Sequence, residues 1–272
     1  MDKFESFITM EINDVWKAGD PYEYFMGRWS SLMAPKFLKW LDAGLGKNWL
    51  DVGCGTGALS ESIEQHCKPM SLSCIDPSEG FIEQVKQRIL ITGQFRVGSV
   101  ENLPFKNESF EVVVSGLALN FFQNLEKALS ELKRVSRPNG VIAAYVWDYS
   151  DRMDFLRYFW DAAYQIDSKS KVFDEGLRFP ICNSENLIKA FEKANLKNIE
   201  STKLDIETNF KNFDDYWNPF LGGQGPAPSY LASLNSELQK ALKSNLKTSL
   251  KFESNGSIKL LGRAIAIKGK LC

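Results

Sequence analysis

Trp49-Leu50-Asp51-Val52-Gly53-Cys54-Gly55-Thr56-Gly57 joins a short apolar run to three alternating glycines, and Ala58, Leu59 and Ile63 follow at helical spacing. The pattern predicts a buried strand that enters a helix through a glycine loop. Such a loop presents backbone N–H groups and the positive end of a helix. Glycine lets a ligand come close because no Cβ intervenes. The segment therefore predicts a site for a nucleotide-like ligand.

Strands and helices alternate on both sides of this segment. Further helices are predicted at 10–44, 125–135, 151–167 and 185–196, and Pro138-Asn139-Gly140 is predicted to be a turn. Strands are predicted at 49–52, 70–75, 95–98, 110–114, 141–147, 199–206 and 258–268. Alternation from 49 to 147 indicates right-handed crossovers and a mainly parallel sheet. We expect an α/β, doubly wound, Rossmann-like fold.

The chain is expected to be a single domain over 1–272. A helical lead-in at 1–46 precedes a core at 47–150 that would hold the ligand. Residues 151–182 and 208–255 are rich in aromatic side chains and are predicted to form a helical lid, or substrate region. The same aromatic residues could instead form the lid's own core or a dimer contact. Residues 183–207 and 256–272 are assigned to C-terminal core elements.

Composition excludes several classes of protein. Lys and Arg total 33 against 34 Asp and Glu, a net charge of −1, which argues against a nucleic-acid partner. Residues 1–10 have no signal-peptide pattern, and no apolar run approaches the ~18 residues that a membrane span needs. The five cysteines are scattered and form no CxxC pair, so we expect reduced thiols and no metal site. A cytoplasmic protein that is a monomer or homodimer, without a membrane partner, is the expectation.

Asp76 is the second indication of a ligand site. It lies nineteen residues beyond Gly57, at the end of the next apolar run. A carboxylate at this place accepts hydrogen bonds from ribose hydroxyls, so the loop and Asp76 together indicate an adenosine-type ligand. Two kinds of nucleotide-binding protein remain possible here, and one of them is a dehydrogenase, because Gly53, Gly55 and Ala58 also satisfy a loose dehydrogenase motif.

Three further segments distinguish them: Gly98-Ser99-Val100-Glu101-Asn102-Leu103-Pro104-Phe105, Ser109-Phe110-Glu111-Val112-Val113 and Ser115-Gly116-Leu117-Ala118-Leu119-Asn120. With the glycine loop and Asp76-Pro77-Ser78, they make residues 49–148 resemble class I S-adenosylmethionine-dependent methyltransferases. The similarity is greatest to the small-molecule group that includes ubiquinone- and menaquinone-biosynthesis-type enzymes. The resemblance implies S-adenosylmethionine as cofactor, a last strand that runs antiparallel, and a helical lid.

The resemblance also implies roles for individual positions in holding the cofactor. Gly53, Gly55 and Gly57 would contact the methionine and ribose parts, and Asp76 would hold the ribose. The residues implied to border the adenine are Pro77, Ser78, Val100 and Glu101. Ser115 and Leu117 would lie near the methionine part. Asp51 would order the loop or hold the ligand's amine. The family often has Asp where this chain has Ser99, so the acidic contribution is expected to be weaker or to come from Glu101.

Tyr24-Phe25-Met26-Gly27-Arg28-Trp29-Ser30 resembles the lead-in helix of bacterial members of the group. A guanidinium suits the cofactor's carboxylate geometrically, which makes Arg28 a predicted partner. Tyr24, Met26 and Trp29 are predicted to cover the sulfonium. The alternative is a surface arginine with ordinary helix packing around it.

The residues that would hold the molecule receiving the methyl group, the acceptor, are less clearly indicated by the sequence. The single histidine, His66, falls near the end of a helix and away from the strand ends, so a catalytic role is not expected. Asn120 and Asp148 are weak catalytic candidates, and Asp148 could instead cap the following helix. Phe121, Trp147 and Tyr149 are further candidates for the acceptor side, because they lie with Asn120 and Asp148 after the fourth and fifth strands.

The predicted function is transfer of a methyl group from S-adenosylmethionine to an unidentified small organic acceptor, at O, N or C, by direct displacement. A nicotinamide-dependent dehydrogenase is the enzymatic alternative, although the chain lacks a recognisable Tyr/Lys, His or Cys catalytic set. A non-catalytic protein that binds S-adenosylmethionine is the other alternative, because this chemistry has no obligatory catalytic side chain.

Overall fold

Seven strands form the sheet at the centre of the structure, a computed structural model that describes residues 26–222 and 225–271. In chain order the strands are β1 (Asn48–Val52), β2 (Ser71–Asp76), β3 (Phe95–Val97), β4 (Phe110–Gly116), β5 (Ser136–Trp147), β6 (Lys197–Phe210) and β7 (Ile258–Lys270). Their spatial order is β3-β2-β1-β4-β5-β7-β6. Neighbours from β3 to β5 pair in parallel, and β7 runs antiparallel to both β5 and β6. The predicted doubly wound sheet with an antiparallel last strand is confirmed.

Ten α-helices connect or flank these strands within the described residues. They are α1 (Arg28–Leu41), α2 (Ala58–Cys67), α3 (Glu79–Arg88), α4 (Leu125–Val135), α5 (Asp154–Ile166), α6 (Glu175–Arg178), α7 (Ser184–Lys193), α8 (Phe213–Trp217), α9 (Pro226–Ser233) and α10 (Ser236–Ser249). Side-chain caps fix several helix starts. Ser78 accepts a hydrogen bond from the Phe81 N–H (3.4 Å), and Asn124 accepts one from the Lys127 N–H (3.0 Å).

The order of the strands creates a crevice at the middle of the sheet. From β1 the chain moves outward through β2 and β3, then returns to place β4 on the other side of β1 and continues to β5. Ligands of open α/β sheets bind at such a reversal, outside the carboxyl ends of the strands. The loops after β1 and β4 therefore lie where a ligand is expected.

The two central strands supply the core around this crevice. Trp49 and Leu50 of β1, and Val113 and Val114 of β4, are fully buried. Continuous apolar runs such as these are typical of parallel strands covered on both faces. The crevice therefore stands on rigid, well-packed strands.

Two predicted elements differ from the structure. The turn expected at Pro138-Asn139-Gly140 lies inside β5, where pairing passes from Phe110↔Ser136 to Val112↔Val141. Asn139 has a φ of 62°, so the backbone does turn there, but hydrogen bonds to and from Leu271 keep it at the sheet. The helix expected at 10–44 is seen as α1, which ends where Asp42 adopts a left-handed conformation; residues 10–25 lie outside the described part.

Aromatic side chains of the predicted lid pack largely on one another. Phe220 lies 4.6 Å from Phe155 and 4.5 Å from Phe159 between ring centroids, and Phe155 also stacks on Phe210. The Tyr216 hydroxyl donates to the carbonyl of Phe155 (2.8 Å). These rings are the core of the helical region itself, which is the alternative that the sequence left open. Within the described ranges, no helix has the length and apolarity to cross a membrane.

Candidate functional site

A cavity of about 450 Å³ opens at the carboxyl ends of the central strands. Its described lining comes from the loops after β1, β2, β3 and β4, from the end of β5, and from the start of α1. Ten predicted cofactor-binding residues lie in this lining: Met26, Asp51, Gly53, Gly55, Asp76, Pro77, Ser78, Val100, Glu101 and Leu117. The structure thus brings together residues that are up to 91 positions apart in the sequence, from Met26 to Leu117.

The three glycines of the loop have positive φ angles but different surroundings. A Cβ on Gly53 would lie 2.5 Å from the Cβ of Ala118, and one on Gly57 would lie 2.8 Å from Val85. Gly55 has no heavy atom within 4 Å of that position. Gly57 does not line the cavity, so its predicted contact with the ligand is corrected: it allows α2 to pack against α3. Gly55 is the glycine that leaves open space.

Asp76 connects the end of β2 to the glycine loop. One carboxylate oxygen accepts from the Gly55 N–H (3.0 Å) and the other from the Ser78 N–H (2.9 Å). Burial raises the pKa of Asp76, and the two hydrogen bonds oppose that rise. Each oxygen retains a second acceptor position in the cavity wall. The carboxylate is therefore fixed in place with capacity for two further donors.

Asp51 is a fully buried carboxyl at the end of β1. Its Oδ2 accepts from the Ser60 hydroxyl (2.6 Å), while Oδ1 has no partner among the described residues. Burial raises the pKa of Asp51 to about 7, the hydrogen bond from Ser60 opposes the rise, and the charge of Asp76 adds to it. An unpartnered buried acceptor is costly, and here it lies in a cavity wall. Asp51 is thus arranged to receive a donor, and a cation would favour its ionised form.

Ser99 and Glu101 form a pair beyond β3. The Ser99 hydroxyl donates to the Glu101 carboxylate and also accepts from the Glu101 N–H (3.2 Å). Burial raises the pKa of Glu101, but the bonds from Ser99 and from the Asn124 N–H outweigh it and leave the pKa below its ordinary value. Ser99 therefore orients an ionised acid here, where the family pattern has its own carboxylate.

The other end of the cavity is aromatic. Tyr145 and Trp147 of β5 line it, followed by Tyr149, and Phe121 of the loop after β4 lines it too. Leu117 has a φ of 59° and donates its N–H to the Tyr145 carbonyl (2.7 Å), which fixes the path of that loop. This end offers ring surfaces instead of charge.

Arg28 and Trp29 do not line the cavity, contrary to prediction. The Arg28 guanidinium pairs with Asp215 (3.0 Å) and lies over the rings of Trp29 and Phe210. The reason is helical geometry: Met26 and Ser30 share the cavity face at a spacing of four, and a residue midway between them points away. Tyr24, predicted with them, lies outside the described residues.

Three further candidates lie outside the lining. The Ser115 hydroxyl and the Asn120 amide are buried without hydrogen-bond partners among the described residues. The Asp148 carbonyl accepts from the N–H groups of Arg152 and Met153, and its carboxylate accepts weakly from Ser150 (3.4 Å). Asp148 therefore organises the turn before α5, but it does not cap that helix, because the N-cap residue is Met153. His66 is exposed in the last turn of α2.

Sequence reasoning missed Ser30 and Tyr145 as lining residues, and also Phe122. Ser30 carried a usable signal, since it lies four residues after Met26 on a predicted helix. Tyr145 carried none, because a residue inside an apolar strand gives no sign of facing a cavity.

Comparison with known proteins agrees with this geometry. Residues 50–144 match the model of the family described as Methyltransferase domain. A phthiotriol/phenolphthiotriol dimycocerosates methyltransferase of Mycobacterium leprae is 35% identical over 99 residues, which are 36% of this chain and 37% of that protein. A demethylmenaquinone methyltransferase of Leptospira interrogans is 36% identical over 98 residues, 34% of this chain and 39% of that protein. The chain thus matches less than two fifths of the length of these curated relatives.

A solved structure extends the similarity beyond the matched segment. Phosphoethanolamine N-methyltransferase 2 of Haemonchus contortus, in complex with S-adenosyl-L-methionine, has a TM-score of 0.58 at 14% identity. The similarity covers 92% of this chain and 56% of that one. At this identity it shows the fold alone. Together, the matched segment, the strand order and the cavity at the sheet's reversal confirm the predicted family and fold. Residues 50–144 thus match the methyltransferase-domain family, and the strand order around them is the one expected of class I S-adenosylmethionine-dependent methyltransferases.

Proposed function

We propose that this protein is an S-adenosylmethionine-dependent methyltransferase that acts on a small organic acceptor. The observation that carries the proposal is a pair of buried carboxylates, Asp51 and Asp76, on either side of an open glycine in one cavity. The family relationship of residues 50–144 supports the same cofactor. The nicotinamide alternative loses its support, because the matched family is a methyltransferase family.

The residues fit the polar groups of the cofactor. The unpartnered Oδ1 of Asp51 suits the ammonium group, because a buried carboxylate is stabilised by a charged donor. Asp76 has the acceptor capacity for two ribose hydroxyls, and the open position at Gly55 leaves room for a sugar beside the backbone. Pro77, Ser78, Val100 and Glu101 would border the adenine.

The protein's part in the reaction is positioning and exclusion of water. When bound, S-adenosylmethionine supplies a methyl group already activated on a sulfonium sulfur. Orientation alone contributes ~7–11 kcal/mol in favourable cases. The rings of Tyr145, Trp147 and Tyr149 surround the acceptor end and keep it apolar. No described lining residue is His, Lys or Arg, so an acceptor that keeps a proton would release it to solvent or to a carboxylate.

Incubation with cofactor labelled on its methyl group, together with fractionated metabolite extracts, tests the proposal. We expect label in a small-molecule product and formation of S-adenosylhomocysteine in equal amount. Tight binding of the cofactor with no transfer to any fraction would support the non-catalytic alternative. If the protein reduced NAD with the same extracts and transferred no methyl group, the result would support the dehydrogenase alternative.

Gly55→Ala is expected to weaken S-adenosylhomocysteine binding at least tenfold, because the new methyl group occupies space beside the cavity. Gly46→Ala is the matched control: Gly46 also has a positive φ (67° against 52°) and nothing within 4 Å of its Cβ position, but it does not line the cavity. Both should lose roughly 1 kcal/mol of stability from backbone strain. Calorimetric titration of both variants would count against the site if the two affinities matched.

Arg28→Ala is expected to weaken binding of S-adenosylhomocysteine and of adenosine by the same small factor. The structure places Arg28 on Asp215, so the ligand's carboxylate does not depend on it. Thermal denaturation should show a loss of about 1 kcal/mol from the ion pair and the cation–π contacts, and Asp215→Ala should behave alike. A selective loss of S-adenosylhomocysteine binding would restore Arg28 to the cofactor site.

A further inference from the structure

Three rings form what we call the aromatic wall: Phe121, Tyr149 and Phe179. Phe179 lies 5.2 Å from Phe121 in an edge-to-face arrangement and 5.9 Å from Tyr149, measured between ring centroids. Phe121 and Tyr149 line the cavity. Spacings of 4.5–7 Å are those of favourable aromatic pairs, so the three rings behave as one surface. They come from three separate parts of the chain, and something must hold them in register.

A buried ion pair holds two of these parts, those of Tyr149 and Phe179, together. Both terminal nitrogens of Arg157 in α5 donate to Asp174, at 2.9 and 2.8 Å, and Nη1 also donates to the Tyr149 carbonyl at 3.0 Å. Asp174 accepts from the Gly176 N–H (2.8 Å) as well, at the start of the short helix that leads into Phe179. A single guanidinium therefore fixes the backbone of Tyr149 and the segment before Phe179 together.

The charged side chains in the described part of the cavity lining all have one sign. The described lining contains the carboxyl groups of Asp51, Asp76 and Glu101 and no basic side chain. The positive charge of Arg157 is opposed by Asp174, which is almost completely buried beside it. Arg178 lies over the ring of Phe179, with its guanidinium 5.1 Å from the ring centroid, and it does not line the cavity. An acidic acceptor would lose its hydration in this cavity without gaining a basic side chain of the described lining as a partner.

We propose that the aromatic wall binds a planar aromatic acceptor that carries no acidic group, and that Arg157 is a positioning residue for this wall. The inference rests on the proposed function, because it assigns the acceptor class for that same cavity. A ring placed against Phe121 and Tyr149 would gain aromatic contacts that an aliphatic molecule of equal size does not. The wall thus selects by shape and by absence of charge.

The test uses the full chain saturated with S-adenosylhomocysteine and three matched probes. 2-Naphthol is planar and neutral, 6-hydroxy-2-naphthoate adds a carboxylate, and decahydro-2-naphthol removes the aromatic rings. Calorimetry or quenching of tryptophan fluorescence measures binding, independently of any turnover. We expect 2-naphthol to bind at least tenfold more tightly than the hydroxynaphthoate and at least fivefold more tightly than the saturated alcohol.

Variants separate the wall from general stability. Tyr149→Leu and Phe121→Leu should weaken naphthol binding at least fivefold and leave S-adenosylhomocysteine binding unchanged, whereas Tyr149→Phe should retain both. Phe252→Leu is the control, since Phe252 is exposed and outside the cavity. Arg157→Lys keeps the charge but loses the two-pronged contact, and it should weaken naphthol binding without changing the affinity for S-adenosylhomocysteine.

The outcomes are distinct. Loss of thermal stability in Arg157→Lys with unchanged naphthol affinity would make Arg157 purely structural. Equal or tighter binding of the hydroxynaphthoate would show that Arg178 recruits acids, and equal binding of the saturated alcohol would remove the aromatic preference; either result overturns the assigned acceptor class. Failure of S-adenosylhomocysteine to bind at all would instead refute the proposed function.

Discussion

Asp51→Asn is expected to lose affinity for S-adenosylhomocysteine and to stabilise the ligand-free protein at pH 8. The loss follows because an amide cannot neutralise the ligand's ammonium group, and a hydrogen bond to a charged group contributes about 1.5–3 kcal/mol. The gain follows because the ionised carboxylate of Asp51 is fully buried with one oxygen unpartnered. The two effects have opposite signs, so neither can be mistaken for general damage to the fold.

The pH dependence of stability has a definite direction. Burial raises the pKa of Asp51 from 3.8 to about 7, so the folded protein favours the neutral carboxyl. This contribution to stability is complete below about pH 4 and is lost as the pH rises to about 7, a difference on the order of 4 kcal/mol. Thermal denaturation at pH 5 and pH 8 should show this decline in the ligand-free wild type and a smaller decline in Asp51→Asn.

Binding should change with pH in the opposite sense. A protonated Asp51 must ionise before it can pair with an ammonium, so affinity for S-adenosylhomocysteine should fall roughly 10- to 30-fold from pH 7.5 to pH 5.5. Burial raises the pKa of Asp76 too, and 5′-methylthioadenosine, which lacks the ammonium, measures that contribution separately. An identical pH profile for the two ligands would show that Asp51 does not contact the ligand's amine.

Asp76→Ala is expected to weaken binding of S-adenosylhomocysteine and adenosine equally, by about 1–3 kcal/mol. The variant removes the ribose acceptor and also the two bonds that hold the N–H groups of Gly55 and Ser78. Adenine, which has no ribose, should lose less. Calorimetric titration with the three ligands gives the comparison directly.

Asp148→Ala provides the matched control for that experiment. Asp148 is also a buried carboxylate at the end of a central strand, but it does not line the cavity. Its loss should leave all three affinities unchanged. If a folded Asp76→Ala protein bound adenosine as well as the wild type did, Asp76 would not be a ribose ligand.

Sequence patterns predicted the fold and the clustering of Asp51, Gly55 and Asp76 at one cavity because both depend on local signals. The segment from Trp49 to Gly57 shows a strand, a turn and a helix start within nine residues. Asp76 and the Val100–Glu101 pair follow their own strands at the same edge of the sheet, so parallel pairing alone brings them together. Their contacts with the cofactor stay predictions, supported by their place in the lining.

What the sequence could not predict depends on tertiary contacts. Arg28 has a partner 187 residues away, and no local pattern connects it to Asp215. Gly57 packs against Val85 of a neighbouring helix instead of facing the cavity, and no local pattern shows that contact. Likewise, Phe155 and Phe159 give the same sequence pattern whether they cover a substrate or fill the core of the helical region. Only their packing on Phe220 distinguishes the two roles.

The proposed function requires that the cavity hold an adenosyl amino acid between Asp51 and Asp76. Calorimetric titration of the wild-type protein with S-adenosylhomocysteine and, separately, with NAD tests it most directly. We expect saturable binding of one S-adenosylhomocysteine per chain and no heat above dilution from NAD. Saturable NAD binding with no response to S-adenosylhomocysteine would contradict the account.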